Sequence, residues 1–454
     1  QRKGNVLNSL ILASKPCFLH TPSLTLPNRT VFLRRHPGHT QMQAIDTVVP
    51  GLQIGEGLPQ IARIADRVTV VRTMTHPFPI HCCAYVMSGM PTYGIPLETK
   101  PRAPEHWPFM GSVVDFLDTQ RTGIRTPAIP RNIGLPWRFC SRGTSPNQAG
   151  PYGAFLGNGF DPFWTDFDGR GTIAAPKLTA GQTAQILDPH GGIEPNGRFR
   201  LSADCQLPIH MSSRRFDARQ HLLSQFDQSR SQLERHAQVA DWNDQQQRAV
   251  SLIGSNRIRK ALDVQRESTT LRERYGMTLF GQSCLAARRL VEAGARFVTV
   301  FWDPFGEHGA SVWDTHSNHF PRLKNYLLPV FDQTYSALIT DLDDRGLLDD
   351  TVVLCTSEHG RTPKIDSKPK GAGRHHWSRT YSSVFAGGGI ARGRVVGSSD
   401  AIGGDVVDIP ISPKDIQATT YHLLGFPHGA TVPDQQTRPH AIAGDGRVRS
   451  ELLD

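Results

Sequence analysis

Several things are scarce in this sequence. No stretch approaches the roughly 18 consecutive apolar residues that a membrane-spanning helix needs, and the best run, Val6 to Leu12, is interrupted by Asn8 and Ser9. Seven cysteines, an odd number with only Cys82 and Cys83 adjacent, give neither a disulfide framework nor a zinc-finger spacing. Acidic residues are absent from Gln1 to Ile45, where Arg2, Lys3, Lys15, Arg29, Arg34 and Arg35 supply six positive charges of the formal +9. The rest of the chain is close to balanced. Nucleic-acid binding needs clustered Lys and Arg interleaved with aromatics on the folded part, and setting the leader aside removes most of the surplus.

What is present is ordinary globular sequence: 38% apolar and 20% charged residues over 454 positions, enough for a large core. Glycine at 42 and proline at 33 point to many ordered loops rather than long bundles. The acid-free leader, residues 1–45, reads as a disordered or non-native extension. It precedes a single domain over 46–454, with a loop-rich insertion at about 89–215 and a helical segment at about 217–294.

Within that domain the apolar run Val68-Thr-Val-Val71 reads as a buried strand. The segment 283–294 is a well-patterned helix stopped by Gly294, and Ala295 to Trp302 follows as a strand covered on both faces. A helix over about 320–345 ends at Gly346 and leads into the strand Thr351–Thr356. Helix, strand, helix, strand is the grammar of an α/β sheet with parallel neighbours. Tyr381–Ala386 is a further apolar segment stopped by Gly387-Gly-Gly389, and Ser412 with Pro413 marks a helix start.

In open α/β sheets, ligands bind beyond the carboxyl ends of the strands. The residues there are rich in metal-ligand types: Asp303, Glu307, His308, Asp314, His316 and His319 after the first of these strands, then Glu358 and His359, then Arg374, His375 and His376. Mixed imidazole and carboxylate donors suit borderline divalent cations such as zinc or manganese. Arg361 and Arg374 could bind an anionic ester bidentately. Since the chain holds 19 histidines, any one of them taken alone is more simply a surface or core residue.

The stretches W-D-T-H (313–316), L-L-P-V-F-D-Q (327–333), D-R-G-L-L-D-D-T-V-V (344–353), S-E-H-G-R-T-P-K-I (357–365), G-R-H-H-W (373–377), A-G-G-G-I (386–390) and P-I-S-P-K-D-I-Q-A-T (410–419) resemble the bacterial domain-of-unknown-function family 1501, of the sulfatase and alkaline-phosphatase clan. The likeness runs from about Ile45 to Leu453. It implies an α/β sandwich, a mostly parallel central sheet flanked by helices, with a one-metal or two-metal site and a Ser, Thr or formylglycine nucleophile. Carried over, Asp314 with His316 or His319 resembles the first Asp and His pair, Glu358 and His359 the acidic residue and His after a later strand, and His375 or His376 the last His ligand. The family more often has Phe where His359 stands, so this chain is nearer the alkaline-phosphatase pattern.

Two departures accompany the likeness. The clan's first strand ends in a metal-binding Asp, and nothing between Gln1 and Ala44 resembles it, so that strand and one ligand are expected to be missing. Thr73 to Gly89 occupies the place of the sulfatase signature, but Cys82-Cys-Ala-Tyr-Val86 has Val where that signature has Arg. Formylglycine is therefore not expected, and Thr73, Thr75 and Cys82 remain candidate nucleophiles, with His76 and His81 able to touch the site. The implied activity is hydrolysis of a sulfate or phosphate ester with a divalent metal (Zn, Mn, Mg or Ca). The alternative is a non-catalytic protein that binds anionic ligands, such as sulfated carbohydrate, in the same cleft. The expected partner is a small anionic ester or sulfated carbohydrate, with no nucleic acid and no membrane span. Family resemblance implies a periplasmic or secreted protein.

Overall fold

The computed structural model describes residues 8–14, 42–78, 81, 83–90, 99–143, 148–174, 186–202, 256–306, 313–368 and 371–454. The candidate nucleophile Cys82, the loop residues Glu307 and His308 and the 217–255 part of the expected helical segment lie outside them.

Among the described residues, nine strands form the central sheet: β1 (Asn8–Ser14), β2 (Val68–Met74), β3 (Asn132–Leu135), β4 (Phe163–Asp168), β5 (Arg198–Leu201), β6 (Phe297–Trp302), β7 (Thr351–Ser357), β10 (Tyr381–Ala386) and β11 (Arg394–Val396). Between β7 and β10 lies a small hairpin of β8 (Gly360–Arg361) and β9 (His376–Trp377). The spatial order is β11-β2-β10-β7-β1-β6-β3-β4-β5. The sheet is mixed: β7, β1, β6, β3 and β4 run parallel to their neighbours in that series, while β10 is antiparallel to both β7 and β2.

The expectation of a missing first strand is corrected by this arrangement, while that of a missing ligand is not, since β1 ends in Ser14 and the next residue is Lys15 rather than Asp. Asn8–Ser14 lies in the middle of the sheet, pairing Ile11 with Thr299 of β6 on one side and with Leu354 of β7 on the other. The leader is thus no bare extension: the Ser-Leu-Ile-Leu-Ala run inside it is the type of short, continuous apolar segment that a strand with neighbours on both sides requires.

Side chains alternate across the pleat, so one strand feeds two cores. On β7, Val353 and Cys355 join the cluster built with α3 (Leu279–Glu292) and α4 (Leu328–Asp344). Val352 and Leu354 join the opposite cluster, with α2 (Met110–Thr122) and α5 (Pro413–Leu423). Both faces of the sheet are therefore covered by helices. The remaining helix near the site, α1 (Cys83–Ser88), packs with α5.

Local chemistry sets the ends of these elements. Ser412 caps α5 by accepting from the Asp415 N–H, and the Asp415 side chain returns the bond to the Ser412 N–H, a full capping box with Pro413 in the first turn. After β10 the chain turns through Gly387, Gly388 and Gly389, all at positive φ. A Cβ on Gly387 would stand 2.3 Å from the carbonyl oxygens of Leu348 and Thr351, so only glycine fits there.

Candidate metal centre

β7 is buried along its whole length and ends in Ser357, after which Glu358 and His359 enter the site fully shielded from solvent. His76, just beyond β2, fixes this corner: its Nδ1 accepts from the Phe78 N–H at 3.2 Å, so Nε2 carries the proton and donates to the Glu358 carbonyl at 2.6 Å. Burial lowers the His76 pKa, consistent with that neutral form.

His359 is likewise neutral. Its Nδ1 faces the Gly360 carbonyl at 2.9 Å and must donate there, which makes Nε2 the lone-pair atom, 4.0 Å from Glu358 Oε1. Burial pushes this imidazole down to about 3, against the pull of Glu358. A neutral histidine with its lone pair turned inward is the ligand form.

His81 sits between two carboxylates, with Nδ1 3.0 Å from Glu358 Oε1 and Nε2 3.4 Å from Asp314 Oδ2. Burial disfavours its charged form, but the hydrogen bonds to Asp314 and Glu358 outweigh that and raise it to about 9. Burial likewise works to raise both carboxyls, and contacts with histidines overcome it: His81 for Glu358, and His316, His376 and His81 together with Arg361 for Asp314. Both are held as carboxylates.

The hairpin brings the last donor. Arg361 on β8 pairs across to His376 on β9, and His376 Nε2 lies 3.2 Å from Asp314 Oδ1 and 3.0 Å from His316 Nε2. His316 Nε2 is itself 2.9 Å from Asp314 Oδ1. Two donor groups result, each with atoms inside 4.8 Å of one another: His81, His359 and His376, and Asp314, His316 and His376. His376 is common to both.

Two imidazole nitrogens and a carboxylate oxygen that close on one point repel through their lone pairs unless protons or a cation lie between them. The nitrogen-rich donor set, with one carboxylate, is the type borderline divalent cations take. These residues therefore fit a metal ion.

Other residues named from the sequence stand elsewhere. His319 is buried one turn further on, its Nδ1 2.7 Å from Thr315 Oγ1, outside both donor groups. His375 is exposed and lies outside them too, 3.1 Å from His316 Nδ1 and 3.3 Å from Asp366. Arg361 is 1% exposed and donates to Asp314 Oδ1 at 2.5 Å, to the Trp313 carbonyl at 3.2 Å and to the Arg374 carbonyl at 3.1 Å. Arg374 is fully buried and donates to the Thr362 carbonyl at 3.0 Å. Both arginines serve the protein's own backbone rather than standing open to an ester, because a buried guanidinium must be matched on several sides. Asp303 is also internal, accepting from Trp137 Nε1 at 2.8 Å and the Cys140 N–H at 2.9 Å.

Thr73 is buried and donates to the Ile409 carbonyl at 2.6 Å, away from the histidines. Thr75 stands beyond the end of β2, half-buried, next to His76. Sequence reasoning brings His81 to the site without counting it among the metal ligands, and the structure places it in one donor group. Its signal is position: it precedes α1 in the connection that follows β2, where an α/β sheet places its functional groups.

The family model described as "Protein of unknown function (DUF1501)" matches residues 17–453. No functionally curated protein matches the chain. Among solved structures, Ps i-CgsB is similar at 11% identity and a TM-score of 0.40, covering 97% of this chain and 74% of that one. The lipoteichoic acid synthase LtaP from Listeria monocytogenes is similar at 11% identity and 0.39, covering 96% and 74%. The PsFucS1 sulfatase from Pseudoalteromonas sp. is similar at 12% and 0.34, covering 81% and 62%.

Proposed function

This chain belongs to the DUF1501 family of proteins of unknown function, and from that premise we propose that it is a metal-dependent hydrolase of sulfate or phosphate esters, with sulfated carbohydrate among its candidate substrates. The observation that carries the reading is the pair of donor groups hinged on His376 at the carboxyl end of the sheet. A divalent cation held by such groups neutralises an anionic ester and activates it toward attack.

The protein's own residues would each have a task. Asp314, His316, His376, His359 and His81 would hold the cation or cations, with Glu358 beside His81. His76 and Arg361 would keep the donors in register from behind, as outer partners of metal ligands commonly do. Thr75 is the described hydroxyl that this reading retains as nucleophile, since the Thr73 hydroxyl is engaged by Ile409. β1 supplies the central strand that this reading needs, and the donor groups assigned here draw no ligand from it.

The deciding experiment measures the metal content of purified protein and its turnover of 4-nitrophenyl sulfate and 4-nitrophenyl phosphate. Bound divalent metal that disappears in Asp314→Ala and His359→Ala, with turnover lost in parallel, supports the reading. Metal content equal in wild type and both variants would overturn it.

A further inference from the structure

Away from the cation cluster, a cleft of about 520 Å³ opens between α1 and the hairpin of β12 (Thr431–Pro433) and β13 (Pro439–Ala441). That is a size that holds a small ligand. α1 separates the cleft from the cluster. Ala84 and Ser88, four residues apart and so on one face of the helix, line the cleft. Tyr85 instead packs edge-on against His76, at 5.1 Å, on the side that holds Glu358.

One wall is aromatic. The Trp107 ring meets Phe155 at 5.3 Å and His440 at 5.5 Å, and Phe155 meets His440 at 5.8 Å. The opposing polar groups are matched among themselves. Asp434 accepts from Arg438 Nε at 2.7 Å and from His440 Nε2 at 3.0 Å, and also from the backbone N–H groups of Gln436 and Arg438, both at 2.9 Å. The cationic side chains of the wall thus already face a carboxylate, which disfavours an anionic ligand. Beside the exposed Glu105 carboxylate, neutral donors and acceptors remain in the Gln435 and Gln436 side chains, which are exposed.

Aromatic faces beside neutral amides suit a pyranose, which presents C–H groups on its faces and hydroxyls around its edge. We propose that this cleft is a second binding site, for a neutral oligosaccharide of about two or three sugar units, which acts independently of the cation cluster.

Tryptophan fluorescence and calorimetry on the full chain test this, with maltotriose, cellotriose and chitotriose as probes and a proline-rich peptide as comparison. At least one trisaccharide is expected to bind. Trp107→Ala should weaken that binding at least about tenfold, and Gln435→Ala with Gln436→Ala, at exposed positions outside the core, about threefold. His359→Ala should leave it unchanged while lowering metal content, so the sugar site and the metal reading can fail separately. If Trp107→Ala does not fold, the glutamine variant decides. No trisaccharide binding at millimolar concentration, binding unmoved in the folded variants, binding of the peptide alone, or loss of sugar binding in His359→Ala would each overturn the proposal.

Discussion

Arg361 Nη2 lies 2.5 Å from Asp314 Oδ1, and the same guanidinium holds the carbonyls of Trp313 and Arg374. One buried side chain thus joins the loop that carries Asp314 and His316 to the strand that carries His376. Arg361→Lys keeps the charge but replaces a planar fork with a single ammonium that cannot span three acceptors. It should lower metal affinity by about 10-fold to 100-fold and stability by about 2 kcal/mol, read by metal titration and urea unfolding.

The shared position of His376 sets a stoichiometric expectation. His316→Ala removes a donor from one group and leaves the other intact, whereas His376→Ala removes a donor from both. Elemental analysis should therefore find less metal in His376→Ala than in His316→Ala. Equal residual metal in the two variants would show that the groups do not act as two overlapping sites.

His81 supplies the pH dependence. Its pKa of about 9 lies above the ordinary value of 6.5, so its pairing stabilises the metal-free protein fully below about 6.5 and less and less as pH rises through 9. A cation held by His81 would have to displace that proton. Metal affinity should then rise with pH, by up to about tenfold per pH unit between 7 and 9, and level off above. His359, already neutral with a pKa near 3, adds nothing in that window. In His81→Gln the slope should flatten, which metal titrations at several pH values would reveal.

The interior place of β1 is tested through the backbone. Proline at Ile11 removes an N–H in a strand paired on both sides and should cost about 3 kcal/mol or more. Urea unfolding or the yield of folded protein would show it. An Ile11→Pro variant as stable as wild type would exclude the strand from the sheet.

The sequence makes the carboxyl ends of β6 and β7 legible, because β-branched runs flanked by helices announce both strands, and it is there that Asp314, Glu358 and His359 stand. It does not separate His375 from His376, or His316 from His319. The first choice depends on the β8–β9 register: with His376 opposite Arg361, the period of two turns His375 the other way. The second depends on Thr315, which holds His319 within the protein. Arg361 and Arg374 read as arginines open to an anionic ester because burial leaves no local mark on a loop sequence. β1 escapes notice because its few apolar residues stand inside an acid-free stretch whose charge draws attention away from the strand.

That same strand imposes an order on synthesis. Asn8–Ser14 leaves the ribosome well before either of the strands it pairs with, Phe297–Trp302 and Thr351–Ser357. It must wait, an apolar strand without a mate, until those two are made, and the middle of the sheet can close only then. The strand made first of the three is thus the one whose place is completed last, when both of its neighbours have emerged.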